Sequence, residues 1–382
     1  MKLLFASDSF KGSLSSEKTV ELLAKAAKDV FGDVEYEGVP VSDGGEGTVD
    51  AVVAAEHGTK ISVDVYGPLM TRIKAEYGRL DDNRAVIEMA AASGLPLIKR
   101  EERNPLNTTT FGTGELIRDA LERGFRDLSI AIGGSATNDG GMGCMRALGV
   151  KFLDARGNEL QGNGSDLERV ASIDMSGLDP RIKDTKITVM CDVTNPLTGK
   201  DGATYTFGAQ KGATPDMQAR LEAGMLNYKS VIMKQFGFDP DDIPGSGAAG
   251  GLGTALMVFL KGEMRSGIET VLDLIKFDER LEGVDLCVTG EGRTDWQSCF
   301  GKVMQGVGLH AKARGIPVLG LTGSLGKNAM DICNYGVSAL MTTVDAPMPL
   351  SEALERAEEL YYQGALRMFR FVKTGMDMRE TV

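Results

Sequence analysis

"MKLLFASDSFKGSLSSEKTVELLAKAAKDVFG", residues 1–32, decides the fold, because an apolar run, a polar turn and an amphipathic segment follow one another in it. Leu3 to Ala6 reads as a buried strand, and Val20, Leu23, Ala27 and Val30 recur at helical spacing. Ser15 or Ser16 caps that helix and Gly32 stops it. The next stretch, "VPVSDGGEGTVDAVVAAEHG" (39–58), repeats the order. Val39 and Val41 feed an acidic glycine turn, and Val49, Val52 and Val53 share a helix face before Gly58. Two βα units in succession predict parallel strands joined by right-handed crossovers.

Further along, the rhythm changes. "KISVDVYGPLMTRIKAEYGRL" (60–80) alternates around Gly67 and Pro68, which predicts a hairpin in a different sheet. Leu116, Ile117, Ala120 and Leu121 form a helical stripe ended by Gly124, and "LSIAI" (128–132) is a strand feeding "GGSATNDGGMG". "KITVM" (186–190) reads as another strand, Met217 to Phe236 as a long helix, and "GSGAAGGLGTALMVFL" (245–260) as a glycine-rich helix start. From 284 the βα rhythm returns in "VDLCVTGEG", Lys302 to Arg314, "IPVLGLTGS" and "GVSALMTTV", with a closing helix from Leu350 to about Val372. At 382 residues the chain exceeds the usual single core. The expected architecture is therefore α/β in two domains: a discontinuous one over 1–66 and 284–382, and an inserted one over 67–283.

Composition excludes several classes of function. A net charge of -12 with no basic run argues against nucleic acid, whose binding rests on clustered Lys and Arg. A small anionic substrate needs only a few local cations and remains allowed. Cys144, Cys191, Cys287, Cys299 and Cys333 are scattered, odd in number and without a CxxC pair, which suits reduced thiols in a cytoplasm. With only His57 and His310 beside them, zinc is not expected, and both histidines are assigned surface or helix-end roles. The first apolar run is too brief for a signal-peptide core, and "ALMVFL" (255–260) falls far short of the ~20 residues that span a bilayer, so no membrane partner is expected.

Glycine is abundant, 49 residues of 382, and clusters in turns. Six turns share one plan, a β-rich run followed by small residues mixed with Asp, Asn, Glu or Lys: 7–13, 42–47, 133–141, 191–199, 289–295 and 322–326. All six would lie beyond the carboxyl ends of strands, where open α/β sheets bind ligands. Amides of such turns bind phosphate, while acids repel it unless a divalent cation intervenes. Asp43 and Glu46 then suit Mg²⁺ or a substrate hydroxyl; equally, Asp43 could begin an Asx-turn and Glu46 favour the helix dipole. The Walker loop, the GxGxxG fingerprint after a strand, the kinase His-Arg-Asp loop and the GxSxG elbow are absent. Phosphoryl transfer needs mainly positioned charge. Lys11, Arg293 and Lys302 supply candidate cations, and Asp8, Asp43, Asp192, Glu291 and Asp295 candidate metal ligands or a base.

As a set, "ASDSFKGSLS", "SDGGEGT", "IGGSATNDGGMG", "DVTNPLTGKDGATYTFGAQKGAT", "GSGAAGGLG" and "TGEGRTD" followed by "GK" resemble the motifs of bacterial glycerate kinases of the first class, the glycerate 2-kinase family. The resemblance implies phosphorylation of D-glycerate by ATP with Mg²⁺, usually at the 2-hydroxyl. It also implies a flavodoxin-like Rossmann-type domain built from both chain ends, an inserted restriction-enzyme-like domain and a site in the cleft. Carried over by motif position, the candidates include Asp139 and fall into four chemical roles. Asp192, Lys11 and Arg293 are catalytic. Gly44, Gly45, Gly133, Gly134, Ser135, Asn138 and Lys302 bind ATP. Asp8, Ser13, Asn195 and Asp295 bind substrate, and Asp43 and Glu291 hold the metal. The chain departs from the family pattern at Thr294, where an aliphatic residue is usual, at Trp296, and at Met304, where Pro is common. Two rivals stand beside this reading. A NAD-dependent hydroxy-acid oxidoreductase shares the α/β pattern but lacks its fingerprint; a two-lobed small-molecule binding protein would make no ADP.

Overall fold

The computed structural model describes residues 1–380, with side chains as far as Met378. The chain divides into two compact units. One comprises Met1–Asp43, Asp50–His57 and the chain from Gly267 on; the other comprises Gly44–Val49 and Gly58–Ser266.

In the first unit a five-stranded sheet is parallel throughout, in the spatial order Val337–Thr342, Val318–Thr322, Leu286–Thr289, Lys2–Phe5, Glu35–Gly38. Numbered along the chain within this unit, the order is 2-1-3-4-5. The crossover helix Ser16–Phe31 starts at Ser15, whose hydroxyl accepts the Lys18 amide at 3.2 Å, and ends at Gly32 with φ 76°, a value glycine takes without steric penalty. Leu22, Leu23, Ala26 and Ala27 are buried with Leu3, Phe5, Leu286, Val288 and Leu321 of the sheet and with Tyr361, Ala365 and Phe369 of the closing helix. Each large side chain among them contributes roughly 1.5–3 kcal/mol by leaving water.

One strand lies upstream of the residues that announced it. Val39 and Val41 are buried, but the ladder covers Glu35–Gly38. Beyond it only single bonds continue, from the Val39 amide to the Phe5 carbonyl at 2.8 Å and from Val41 to Ser7 at 3.4 Å. At a sheet edge one flank of the strand is solvated, so "EYEG" carries no apolar signature. The two valines record burial at the mouth of the turn. The closing helix is also two helices, Leu350–Glu355 and Ala357–Glu380.

The second unit holds a six-stranded sheet ordered Glu263–Arg265, Lys186–Met190, Asp127–Ala131, Arg84–Glu88, Arg72–Arg79, Thr59–Tyr66. Its first four strands are parallel, and the last two form the expected antiparallel hairpin with Tyr66 opposite Arg72. The expected boundaries at 66/67 and 283/284 therefore move. Thr59–Tyr66 pairs along its whole length with Arg72–Arg79 and belongs to this sheet. On the other side, Arg280 donates to Glu37 at 2.6 Å, Glu56 at 3.2 Å and the Ala55 carbonyl at 2.8 Å, which ties Gly267–Leu274 and Phe277–Arg280 to the first unit. Among the described residues no helix is long and apolar enough to cross a membrane.

Candidate active site

The turns after all five strands of the first unit's sheet open on one cavity of about 670 Å³. Its polar wall carries Asp8, Lys11, Ser13, Asp43, Glu291, Arg293 and Lys302, seven of the residues singled out by chemistry and motif. The strand order reverses between Lys2–Phe5 and Leu286–Thr289, and turns 7–13 and 289–295 leave those two strands. A crevice at such a reversal is where doubly wound sheets bind ligands.

Asp8 is fixed by its own backbone, whose amide donates to the Gly290 carbonyl at 2.9 Å, while the Ser9 amide donates to its carboxylate at 2.7 Å. Burial, and next the negative charge of Asp43, push its pKa up to about 7, against the weaker opposing pull of the Ser9 amide and Lys11. Burial likewise raises Glu291, opposed by the Ser298 hydroxyl at 2.5 Å, the Thr294 hydroxyl at 3.0 Å and the charge of Lys302. Two of the departures from the family pattern meet here: the Thr294 hydroxyl lies 3.1 Å from the Met304 sulfur and 3.0 Å from the Thr322 hydroxyl. The Ser13 hydroxyl donates to the Phe10 carbonyl at 3.0 Å.

Asp295 lies outside this lining. It caps the short helix Trp296–Cys299, accepting the Gln297 amide at 2.9 Å, and lies 3.5 Å from the exposed Arg293; it does not line the cavity. Trp296 is about half exposed (49%) and meets Phe300 edge-on at 6.0 Å, beside a separate cavity with Lys327 and Asn328. His57 is exposed past the end of a helix, and His310 sits in a last helical turn between Asp278 at 2.7 Å and Glu269 at 3.1 Å.

The cavity's donors suit a hard cation, since Asp8, Asp43 and Glu291 offer only oxygen. Among the described residues no group of three or more His, Cys, Asp or Glu could hold an ion by itself.

The remaining candidates lie in the second unit. Gly45 and Gly44 run against Gly133, whose added Cβ would sit 3.6 Å from the Gly45 Cα, and Gly133 and Gly134 are exposed. Ser135 is buried and bridges to Gly94. The Asn138 amide donates to Thr204 at 3.2 Å, while its side-chain oxygen is buried without a partner. Asp139 accepts the Thr110 amide at 2.7 Å, the Thr110 hydroxyl at 2.8 Å, and the Gly141 and Gly143 amides at 3.0 and 3.2 Å, so its carboxylate clamps the turn. Asp192 is exposed past Lys186–Met190, and Asn195 donates to the Asp201 carbonyl at 2.8 Å, closing its own turn. Part of the glycine clustering serves packing: a Cβ on Gly250 would lie 2.1 Å from the Thr137 carbonyl oxygen, where "GSGAAGGLG" presses on "GGSATNDGG".

Sequence reasoning missed Lys211. It is buried, its ammonium donates to the Thr137 carbonyl at 2.6 Å, and burial lowers its pKa to about 7 against the pull of Asp139. Its flanks in "GAQKGAT" gave no signal, since Ala209 and Gln210 beside it are exposed.

Residues 3–373 match the model of the glycerate kinase family. The chain is 47% identical to the glycerate 2-kinase of Escherichia coli (strain K12), covering 94% of each chain, and 45% identical to the glycerate kinase of Bacillus subtilis (strain 168), covering 99% of each. A crystal structure provisionally named glycerate kinase 2 from Salmonella typhimurium LT2 superposes with TM-score 0.90 at 44% identity over 99% of both chains. With turns, cavity and near-complete coverage in agreement, the chain belongs to the glycerate kinase family and is an enzyme of that activity.

Proposed function

We propose that the enzyme transfers the terminal phosphoryl group of ATP to the 2-hydroxyl of D-glycerate, giving 2-phosphoglycerate, with Mg²⁺ as the metal. The observation that carries this reading is the shared cavity of Asp8, Asp43 and Glu291 with Lys11 and Lys302 at the strand ends. Bound Mg²⁺, held by Asp43 and Glu291, would neutralise phosphate charge. Lys11 or Arg293 pairs with the substrate carboxylate, and Lys302 with phosphate oxygens. Asp8, poised near neutral pH, takes the proton of the attacking hydroxyl. Gly44, Gly45, Gly133, Gly134, Ser135 and Asn138 remain proposed contacts to ATP, and Ser13, Asn195 and Asp295 to substrate.

The strand order 2-1-3-4-5 favours a flavodoxin-like first domain, and four parallel strands with an added hairpin favour a restriction-enzyme-like second one. Scattered cysteines favour the cytoplasm. The oxidoreductase rival predicts that NADH raises the melting temperature and ATP does not; we expect the reverse.

Phosphorus NMR of a reaction with D-glycerate and ATP is expected to show 2-phosphoglycerate. A 3-phosphoglycerate signal would overturn the position of transfer, and no ADP would overturn the proposal. Asp192→Asn is expected to lower kcat by about tenfold or more with KM for glycerate little changed, as for a group acting in the transition state. Unchanged turnover would remove Asp192 from the mechanism.

A further inference from the structure

Besides its charged residues, the same cavity is lined by an apolar set that glycerate, with every carbon oxygenated, cannot use. Val344, Ala346, Pro347 and Met348, on the segment linking Val337–Thr342 to Leu350–Glu355, line it with Ala353 and Leu354 of that helix, none with a polar side-chain group. Leu354 is 40% exposed, so a large apolar surface at the rim is left in water. Phe10 and the buried Tyr361, packed edge to face at 5.1 Å, line the same cavity. One continuous cavity thus combines Lys11 and Lys302, with carboxylates for a cation, and a set of apolar, uncharged side chains. A ligand matching both sets is a polyanion carrying a flat, weakly polar ring.

Building on the function proposed above, we infer that the slot lined by these apolar side chains receives the purine base of the nucleoside triphosphate, so that residues 344–354 form the nucleotide-binding wall. Pro347 and Pro349 lack amide hydrogens, and the lining side chains offer no hydrogen bonds. Recognition then rests mostly on apolar contact, which discriminates poorly between rings of similar shape. GTP is accordingly a substrate, with kcat/KM within about tenfold of that for ATP.

The test fills the slot. Ala353 is half-buried on Leu350–Glu355, and Ala353→Trp projects an indole into the cavity. Base contacts of this kind are worth about tenfold or more in affinity. The variant is therefore expected to raise KM for ATP by about tenfold or more while KM for glycerate changes less than about twofold. Calorimetric binding of inorganic tripolyphosphate, which needs only the charged residues, should be unchanged. Met348→Glu, which places a negative charge in the slot, should act the same way and covers the case in which Ala353→Trp fails to fold. Unaltered ATP affinity in a folded variant, or equal weakening of ATP and tripolyphosphate, would overturn the inference. Wild-type enzyme that makes no ADP from ATP and glycerate would instead overturn the proposed function.

Discussion

Replacing Asp8 by Asn is expected to lower kcat by about 10²- to 10⁴-fold, the usual contribution of a positioned general base. The geometry that supports this is specific. Asp8 is held by two backbone hydrogen bonds on the cavity wall, beside the cation candidates Lys11 and Lys302 and the carboxylates Asp43 and Glu291. In the wild type, kcat/KM should fall as pH drops below about 7, where Asp8 becomes protonated and can no longer accept a proton. A bound divalent cation favours the ionised form, so saturating metal should move that inflection to lower pH. The carboxamide of the variant does not titrate, and the inflection should vanish from what activity remains.

Stability gives an independent sign. The folded pKa of Asp8 lies above its ordinary value of 3.8, so the folded state binds the proton more tightly than the unfolded one. Stability contributed by this group is lost as pH rises from about 4 to about 7, and the penalty is complete above 7. Asp8→Asn should therefore raise the unfolding free energy at pH 8 by up to a few kcal/mol, with the gain shrinking toward pH 4. A variant that kept kcat within twofold of wild type would end the assignment of Asp8 as base.

Asp139→Ala is expected to destabilise the protein by about 3–5 kcal/mol, measured by denaturant unfolding. Truncation strands the Thr110, Gly141 and Gly143 amides inside a turn from which water is excluded. It also leaves the buried Lys211 without the negative charge that opposes its loss of hydration. If that pairing matters, adding Lys211→Met should recover part of the loss, because removing both members of a buried pair costs less than removing one. Strictly additive losses would show the two groups to be uncoupled, and a loss under about 1 kcal/mol would show that the clamp contributes little to stability.

Much of the architecture was legible because it depends on near neighbours along the chain. Leu23 and Ala27 fall on one helix face through the 3.6-residue period, and Val63 and Val65 alternate with polar residues in the hairpin whatever the rest of the molecule does. The edge strand Glu35–Gly38 was illegible for the converse reason, since half of its surroundings are water. Seam positions were also hidden: whether Thr59–Tyr66 joins one sheet or the other depends on its pairing partner, and periodicity carries no address.

For the site, the amino-acid sequence by itself determined which turns hold acids, cations and glycines, and through the ordered motifs it determined the family. Only the tertiary structure decided how similar acids divide their labour. Asp8, Asp43 and Glu291 face one cavity because their strands lie side by side in the order 2-1-3, whereas Asp295 caps a helix and Asp139 clamps a turn. Strand order arises from packing between residues hundreds of positions apart. A carboxylate's protonation, set by burial and by the charges that packing brings near it, follows from the same source.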